Sequence, residues 1–236
     1  MPEAAQGPVA VLGTGKVARA LAEKLTTAGN RVVLGSRDPR KTLAATSTND
    51  RGTTPFAWWH DQHQQVELLP LPDAAAAGRV VINAVRGIQS LDTLSAAGAE
   101  HLADKPLLDA SLPLDYTGGT PPTLTIANTD SLAEQIQRAF PATAVVKALT
   151  SVSYSLMIAP EHLIGPHDMF IAGNDPAAKT AVRQVLSALG WPSNWVTDLG
   201  PLSAARAIEV YSRLHYELAR TLQTWDFNLR IVRSER

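Results

Sequence analysis

No cysteine occurs anywhere in the 236 residues, which excludes disulfides, thiolate metal sites and thiol nucleophiles. No apolar run approaches the length that spans a bilayer, and the first residues hold neither a basic patch nor an apolar leader. Charge of one sign is not in excess either. The 21 Lys and Arg against 22 Asp and Glu leave a net −1, so no field draws the chain to nucleic acid or an anionic membrane. Several catalytic signatures are missing as well. There is no Gly-x-Ser-x-Gly elbow, no P-loop and no Tyr-x-x-x-Lys pair, because the fourth residue after Tyr154 is Ile158. His60 and His63 would stand one helical turn apart without a carboxylate to complete a ligand set, and His162 and His167 fall in a loop bounded by Pro and Gly. A composition with 45% apolar and 18% charged residues is globular. The expectation is a cytoplasmic protein with no metal, nucleic-acid or membrane partner.

What is present is a nucleotide fingerprint. Val9-Ala10-Val11-Leu12 is a short apolar run that breaks into Gly13-Thr14-Gly15-Lys16-Val17-Ala18, a Gly-x-Gly-x-x-Ala turn. Such glycines make a tight turn and let the backbone approach a pyrophosphate resting on the next helix N-terminus. The context agrees: an amphipathic stretch from Val17 to Ala28, a Gly29-Asn30 stop, and a second apolar run, Arg31-Val32-Val33-Leu34-Gly35. About twenty residues after the glycines, an Asp or Glu would bind the 2′-hydroxyl of NAD. Here that acid is missing, and Ser36 and Arg37 stand in its place with Lys41 one helical turn on. A hydroxyl and two cations suit a 2′-phosphate, so NADP(H) is the expected coenzyme. Asp38 precedes Pro39, and Asp-Pro reads as an N-cap with a first-turn proline, which assigns that carboxylate to a helix start.

The alternation of apolar runs with helical stretches predicts an α/β fold, a Rossmann-type doubly wound parallel sheet over residues 1–150. Strands are expected at 66–69, 79–85, 107–109, 124–127 and 144–148, and helices at 40–46, 88–97 and 131–140. The stretch 49–65 is polar and unassigned, and 111–122 reads as a loop. After Thr150 the pattern changes, and 151–236 is expected to form a smaller C-terminal α+β domain for substrate and dimerisation. It holds predicted strands at 168–172, 195–198 and 225–232 and helices at 177–189 and 202–222. The long helix carries Ala204, Ala205, Ile208, Tyr211, Leu214, Tyr216, Leu218 and Leu222, wider than one core face needs, which points to a homodimer.

In open parallel sheets, ligands lie beyond the carboxyl ends of the strands. That rule places Gly13, Thr14, Gly15, Lys16, Val17, Ser36, Arg37 and Lys41 on the coenzyme. Ala84, Val85 and Arg86 fall near its adenosine half, and Ala110 and Ser111 near the nicotinamide. The run from Val145 to Tyr154 is rich in hydroxyls just after a buried strand. Lys147 and Thr150 are the candidate catalytic residues, the lysine polarising a carbonyl or imine, with a salt-bridged structural role as its alternative. Pro113, Leu114, Ser151, Ser153 and Tyr154 are candidates for the second substrate, a small molecule or a coenzyme.

Together these residues resemble the NADP oxidoreductases that use the deazaflavin coenzyme F420, a family related to the cytosolic domain of STEAP-type metalloreductases. The resemblance runs through Val11-Leu12-Gly13-Thr14-Gly15-Lys16-Val17, Leu34-Gly35-Ser36-Arg37, Leu108 to Leu114, Val145 to Leu149, Met169 to Asp175 and Asp198 to Leu202. It implies NADP(H) in the first domain and coenzyme F420 as co-substrate, held over the nicotinamide by the small domain. Direct hydride transfer between two rings needs stacking and water exclusion more than an acid or base. On the same resemblance, Thr14, Ser36, Arg37 and Lys41 map onto the residues that hold the pyrophosphate and the 2′-phosphate. The chain departs from the family pattern at two asparagines, replaced by Leu112 and by Leu149-Thr150. Both departures lie at the second-substrate end. They leave open an NADPH-dependent reductase of a small imine or carbonyl, and a non-catalytic NADP(H)-binding sensor.

Overall fold

The computed structural model describes residues 7–48 and 53–234. The start of the chain, read above for a leader, lies outside the described residues, as do the first four residues of the unassigned stretch. Ten strands follow in chain order: β1 (Val9–Leu12), β2 (Val32–Ser36), β3 (Glu67–Pro70), β4 (Val80–Asn83), β5 (Pro106–Asp109), β6 (Leu114–Asp115), β7 (Thr123–Leu124), β8 (Ala144–Lys147), β9 (Met169–Gly173) and β10 (Val196–Asp198). Between them lie α1 (Lys16–Thr27), α2 (Pro39–Ala44), α3 (Phe56–Asp61), α4 (Leu71–Ala77), α5 (Ser90–Ala97), α6 (Ala99–Leu102), α7 (Leu132–Ala139), α8 (Tyr154–Ile158), α9 (Pro176–Ala188) and α10 (Ala205–Leu222).

Eight of the strands form one sheet in the order β10-β9-β8-β5-β4-β1-β2-β3. From β3 across to β8 every pairing is parallel, with Val9 opposite both Val32 and Val80. The direction of winding reverses at β1, so a crevice opens between the carboxyl ends of β1 and β4, where such sheets bind ligands. The doubly wound core was therefore legible. The strands after residue 150 join the same sheet. β9 pairs antiparallel with β8 through Val146 opposite Gly173, and β10 lies parallel to β9. The change of pattern after Thr150 marks a change of strand direction, which places Ala172 and Gly173, the last residues of β9, beside Lys147 and Val146 of β8.

Alternate strand residues feed opposite faces, as the pleat requires. Val9, Val11, Leu34, Ile82, Leu108 and Val146 pack with Leu21 and Leu25 of α1 and with Val182 and Leu186 of α9. Ala10, Leu12, Val33, Val81, Leu107 and Val145 pack with α4, α5 and α7 on the other face. Truncating a fully buried leucine of this kind to alanine costs about 2–5 kcal/mol. Packing of that size, not helix propensity, holds these short elements in place.

Three expectations need correction. The unassigned stretch contains α3, whose Phe56, Trp59, His60 and, one turn on, His63 fall at helical spacing. These rings stack on one another, with Trp59 and His63 centroids 4.4 Å apart. The strand expected at 124–127 is only the two-residue β7, paired with β6 in a ribbon. Tyr116 of that ribbon meets Tyr216 of α10, hydroxyl to hydroxyl, at 2.7 Å. The strand expected at 225–232 is absent, because the side chain of Asp168 stands in for a partner strand. The Asp168 amide donates to the Leu229 carbonyl at 2.9 Å, while its carboxylate accepts from the Ile231 amide at 2.7 Å.

α10 buries Ala205, Ile208, Glu209, Ser212, His215 and Ala219 along one stripe. His215 stacks on Phe227 with centroids 4.6 Å apart, and neither ring nitrogen has a hydrogen-bond partner among the described residues. Burial holds its pKa below the ordinary value of 6.5. The unfolded chain then binds the proton more readily than the folded one, so stability is intact above that value and falls as pH drops below it. Asp130, held at about 2 chiefly by its bonds from Arg138, destabilises the fold only at far lower pH. Thermal melts should therefore show a midpoint that declines between about pH 6.5 and 5, and His215→Phe should flatten that segment. An unchanged slope in the variant would assign the acid sensitivity elsewhere.

Candidate functional site

The site begins where β1 ends. The Gly13 amide donates to the Gly35 carbonyl at 2.9 Å, and Gly13 has φ +121°. A Cβ there would lie 3.0 Å from the Ala84 carbonyl oxygen and 3.2 Å from Val85 Cγ1, so glycine lets the β1 turn close on the β4 exit. Gly15 caps α1 without a side-chain acceptor, and no acidic residue occupies the first turn. Nothing lies within 4 Å of where its Cβ would point. The first-turn amides of α1 therefore face open space at the positive end of a twelve-residue helix. Thr14 is fixed from behind by Arg19, whose Nε donates to the Thr14 carbonyl at 2.8 Å and whose Nη1 donates to Thr54 at 2.7 Å. The composition-level reading missed Arg19. Its signal is a cation on the buried face Ala18, Leu21, Ala22, Leu25.

At the β2 exit, a ring of small hydrogen bonds shapes the turn. The Asp38 carboxylate accepts from the Lys41 amide at 2.9 Å, as the Asp-Pro reading anticipated. Thr42 Oγ1 donates to the Asp38 carbonyl at 2.8 Å and lies 2.7 Å from Ser36 Oγ. A hydroxyl has one proton, so Ser36 donates to Thr42 and itself accepts from the Asp38 amide at 3.2 Å. Ser36 thus braces the turn, with no proton left over in this arrangement. The Arg37 guanidinium and the Lys41 ammonium are exposed and make no hydrogen bond or ion pair among the described residues. The negative charge nearest to them in sequence is already engaged as a cap.

The β4, β5 and β8 exits are laced stepwise. Ala84 donates to Leu12, Ala110 to Asn83 and Ala148 to Asp109, at 3.1, 3.1 and 3.2 Å. Ala84 and Val85 are half-buried beside the crevice and Arg86 is exposed. Gly87 is buried against the next loop, where a Cβ would run into the carbonyl of Leu112 and the nitrogen of Pro113. Pro113 is buried with its carbonyl taken by the Thr125 amide at 2.9 Å, and Leu114 is half-buried in β6.

Of the two roles read for Lys147, the geometry matches the salt-bridged one. It is fully buried, and Nζ lies 2.9 Å from both Asp109 Oδ2 and Glu209 Oε1 while also donating to the Ser111 carbonyl. Burial would lower its pKa, but the two carboxylates outweigh burial and hold it above the ordinary lysine range. All three N–H donors are engaged, so the ammonium reaches no substrate here. Asp109 Oδ1 accepts from Asn83 Nδ2 at 2.9 Å and from the Ser111 amide at 3.2 Å. Glu209 accepts from the Leu132 and Ala133 amides at the start of α7, at 2.9 and 3.2 Å. Glu209 was readable as an acid on a buried helical stripe, and that signal went unused.

The hydroxyl-rich run divides. Thr150 is buried with no partner for Oγ1 among the described residues, following Leu149 at φ +68°. Ser151 is buried and turned toward Met169 Sδ at 3.8 Å, away from any cleft. Ser153 and Ser155 are half-buried and bonded to each other at 2.9 Å. Tyr154 is exposed, and Lys16 Nζ stands 4.3 Å over its ring, which joins the start of α1 to the start of α8. His60 and His63 are engaged locally, with the Val66 carbonyl and the Trp59 carbonyl at 3.1 and 2.7 Å.

A family model described as "NADP oxidoreductase coenzyme F420-dependent" matches residues 8–113. A solved structure from Arthrobacter sp. FB24, named as a candidate F420-dependent NADP reductase, is 43% identical. Its TM-score is 0.90, over 96% of this chain and 100% of that one. The chain belongs to the F420-dependent NADP oxidoreductase family. The rat metalloreductase STEAP3 is 30% identical over 204 residues, which is 85% of this chain, and the chain spans 35% of that relative's length. A reductive aminase from Aspergillus terreus, in complex with NADPH and ethyl levulinate, is 16% identical with TM-score 0.62 over 92% of this chain and 63% of its own, a likeness of fold alone.

Family members are NADP-dependent oxidoreductases, and the residues here fit that nucleotide. The open N-terminus of α1 suits the pyrophosphate, and the unpaired Arg37 and Lys41 suit the 2′-phosphate. No helix among the described residues is long and apolar enough to cross a membrane. Replacing Lys147 with Met would leave Asp109 and Glu209 buried without their cation, so urea unfolding should show a loss of about 3–5 kcal/mol. A loss below about 1 kcal/mol would mean that the triad is solvated in solution.

Proposed function

We propose that the chain transfers hydride between NADP(H) and coenzyme F420. The observation that carries the nucleotide half is the pair of unpartnered cations at the β2 exit, beside an Asp38 already engaged as a cap. When bound, NADPH supplies the hydride. The chain's own work is to seat the pyrophosphate on α1, to anchor the 2′-phosphate at Arg37 and Lys41, and to hold the β5 and β8 exits rigid beneath the nicotinamide.

The deazaflavin half is supported by the family's name and by what the β5 and β8 exits lack. Their one amine, on Lys147, is sealed in the triad, and Ser151 faces inward. Reduction of an isolated carbonyl or imine puts charge on a single atom and calls for a positioned proton donor. A delocalised ring takes its proton from water, so the sealed floor favours it. The second reading, a reductase of a small imine or carbonyl, is favoured by Tyr154, whose exposed ring at the start of α8 is the one phenol beside the hydroxyl-rich run. We also read exposed Val210, Leu214 and Leu222 on α10 as the face a second copy covers in a homodimer.

Mixing NADPH with oxidised F420 should bleach the deazaflavin absorbance in proportion to NADPH consumed. Tight NADPH binding without bleaching would reject the deazaflavin reading, and turnover of an imine lost in Tyr154→Phe would establish the second. Arg37→Ala should weaken NADPH at least 10-fold, about 1.4 kcal/mol, while leaving NADH within 2-fold, about 0.4 kcal/mol. Equal losses would overturn the phosphate anchor.

A further inference from the structure

We infer that the buried triad of Asp109, Lys147 and Glu209 discriminates between the two redox forms of the nicotinamide, favouring the oxidised one. The inference rests on the coenzyme reading above and deepens it. With the 2′-phosphate anchored at β2 and the pyrophosphate on α1, the dinucleotide crosses the switch point and its reactive end lies over β4, β5 and β8. The triad lies directly below those exits. Asp109 is the last residue of β5 and Lys147 the last of β8, and Ser111, whose amide donates to Asp109 and whose carbonyl accepts from Lys147, heads the loop between them.

Its charge state follows from donors and acceptors. Asp109 Oδ1 accepts from Asn83 Nδ2 and the Ser111 amide, and Oδ2 accepts from Lys147. Glu209 Oε2 accepts from the Leu132 amide, and Oε1 faces the Ala133 amide and Lys147. All four oxygens face N–H donors, and a protonated carboxyl would find no acceptor among them, so both groups are ionised. Two carboxylates against one ammonium leave one net negative charge, and all three side chains are at most 1% exposed. Neither carboxylate meets a second cation among the described residues. The start of α7 offsets part of the charge on Glu209, so the remainder sits toward Asp109 and the Ser111 loop.

A fixed charge this deep is poorly screened by salt. The nicotinamide is a cation when oxidised and neutral when reduced. The triad therefore holds NADP+ more tightly than it holds NADPH, and makes the bound reduced form a stronger hydride donor. A tenfold difference in affinity between the two forms corresponds to about 30 mV for a two-electron couple.

The test is titration of NADP+, NADPH and 2′-phospho-ADP-ribose, which lacks the nicotinamide, into the unaltered protein, Glu209→Gln and Asp109→Asn, with melting curves confirming folded samples. In each variant the ratio Kd(NADP+)/Kd(NADPH) should rise about 3- to 10-fold, the range of one weakly screened unit charge, with 2′-phospho-ADP-ribose unmoved. Parallel losses for both coenzymes, at constant ratio, would reduce the triad to a structural brace and overturn the inference. If neither variant folds, the unaltered protein decides: NADP+ should bind at least 3-fold, about 0.65 kcal/mol, tighter than NADPH, and equal or reversed affinities overturn it. Failure of the unaltered protein to bind any of the three ligands would sink the coenzyme reading itself, a separate result.

Discussion

Lys147 inside its cage of acceptors is the interaction on which the ligand end of this sheet depends. A buried ion pair rarely adds net stability, because desolvation offsets much of the attraction, yet removing one partner is severe. What the triad provides here is position. It joins the ends of β5 and β8, the Ser111 loop, the first turn of α7 and the second turn of α10 at one point. Those elements come from distant parts of the chain. Moving any of them breaks a bond in a medium where no water replaces it.

The two ends of the crevice are built on different principles. At the β2 exit, cations stand exposed and ready, and the polar groups behind them are bonded among themselves. At the β5 and β8 exits, charge is sealed beneath the surface and the loops above it are packed against one another through Gly87 and Pro113. A highly charged, flexible phosphate is captured by mobile side chains. A flat ring needs a floor that does not move. The division matches a coenzyme anchored at one end and aligned at the other.

Much of this was legible because it is written in local pattern. The glycine turn, the Asp38 cap and the parallel strands each follow from a few adjacent residues whose backbone needs are strict. The failures have a common cause. The fate of the 225–232 tail and the inward turn of Ser151 are decided by partners far away in sequence, namely Asp168 and Met169, just as Glu209 decides between the two roles left open for Lys147. Hydroxyl-rich composition after β8 suggested an open pocket, but tertiary packing turned half of those hydroxyls inward. The helix α3 was missed because its apolar stripe is aromatic and histidine rather than aliphatic.

The cap at Asp38 carries a consequence for the charge at this corner. The chain does possess an acid at the β2 exit, between Arg37 and Lys41, but the start of α2 keeps it occupied. Which side chain caps and which stays free depends on where the helix begins. The start of α2 at Pro39 is thus what keeps the one carboxylate of this corner away from Arg37 and Lys41.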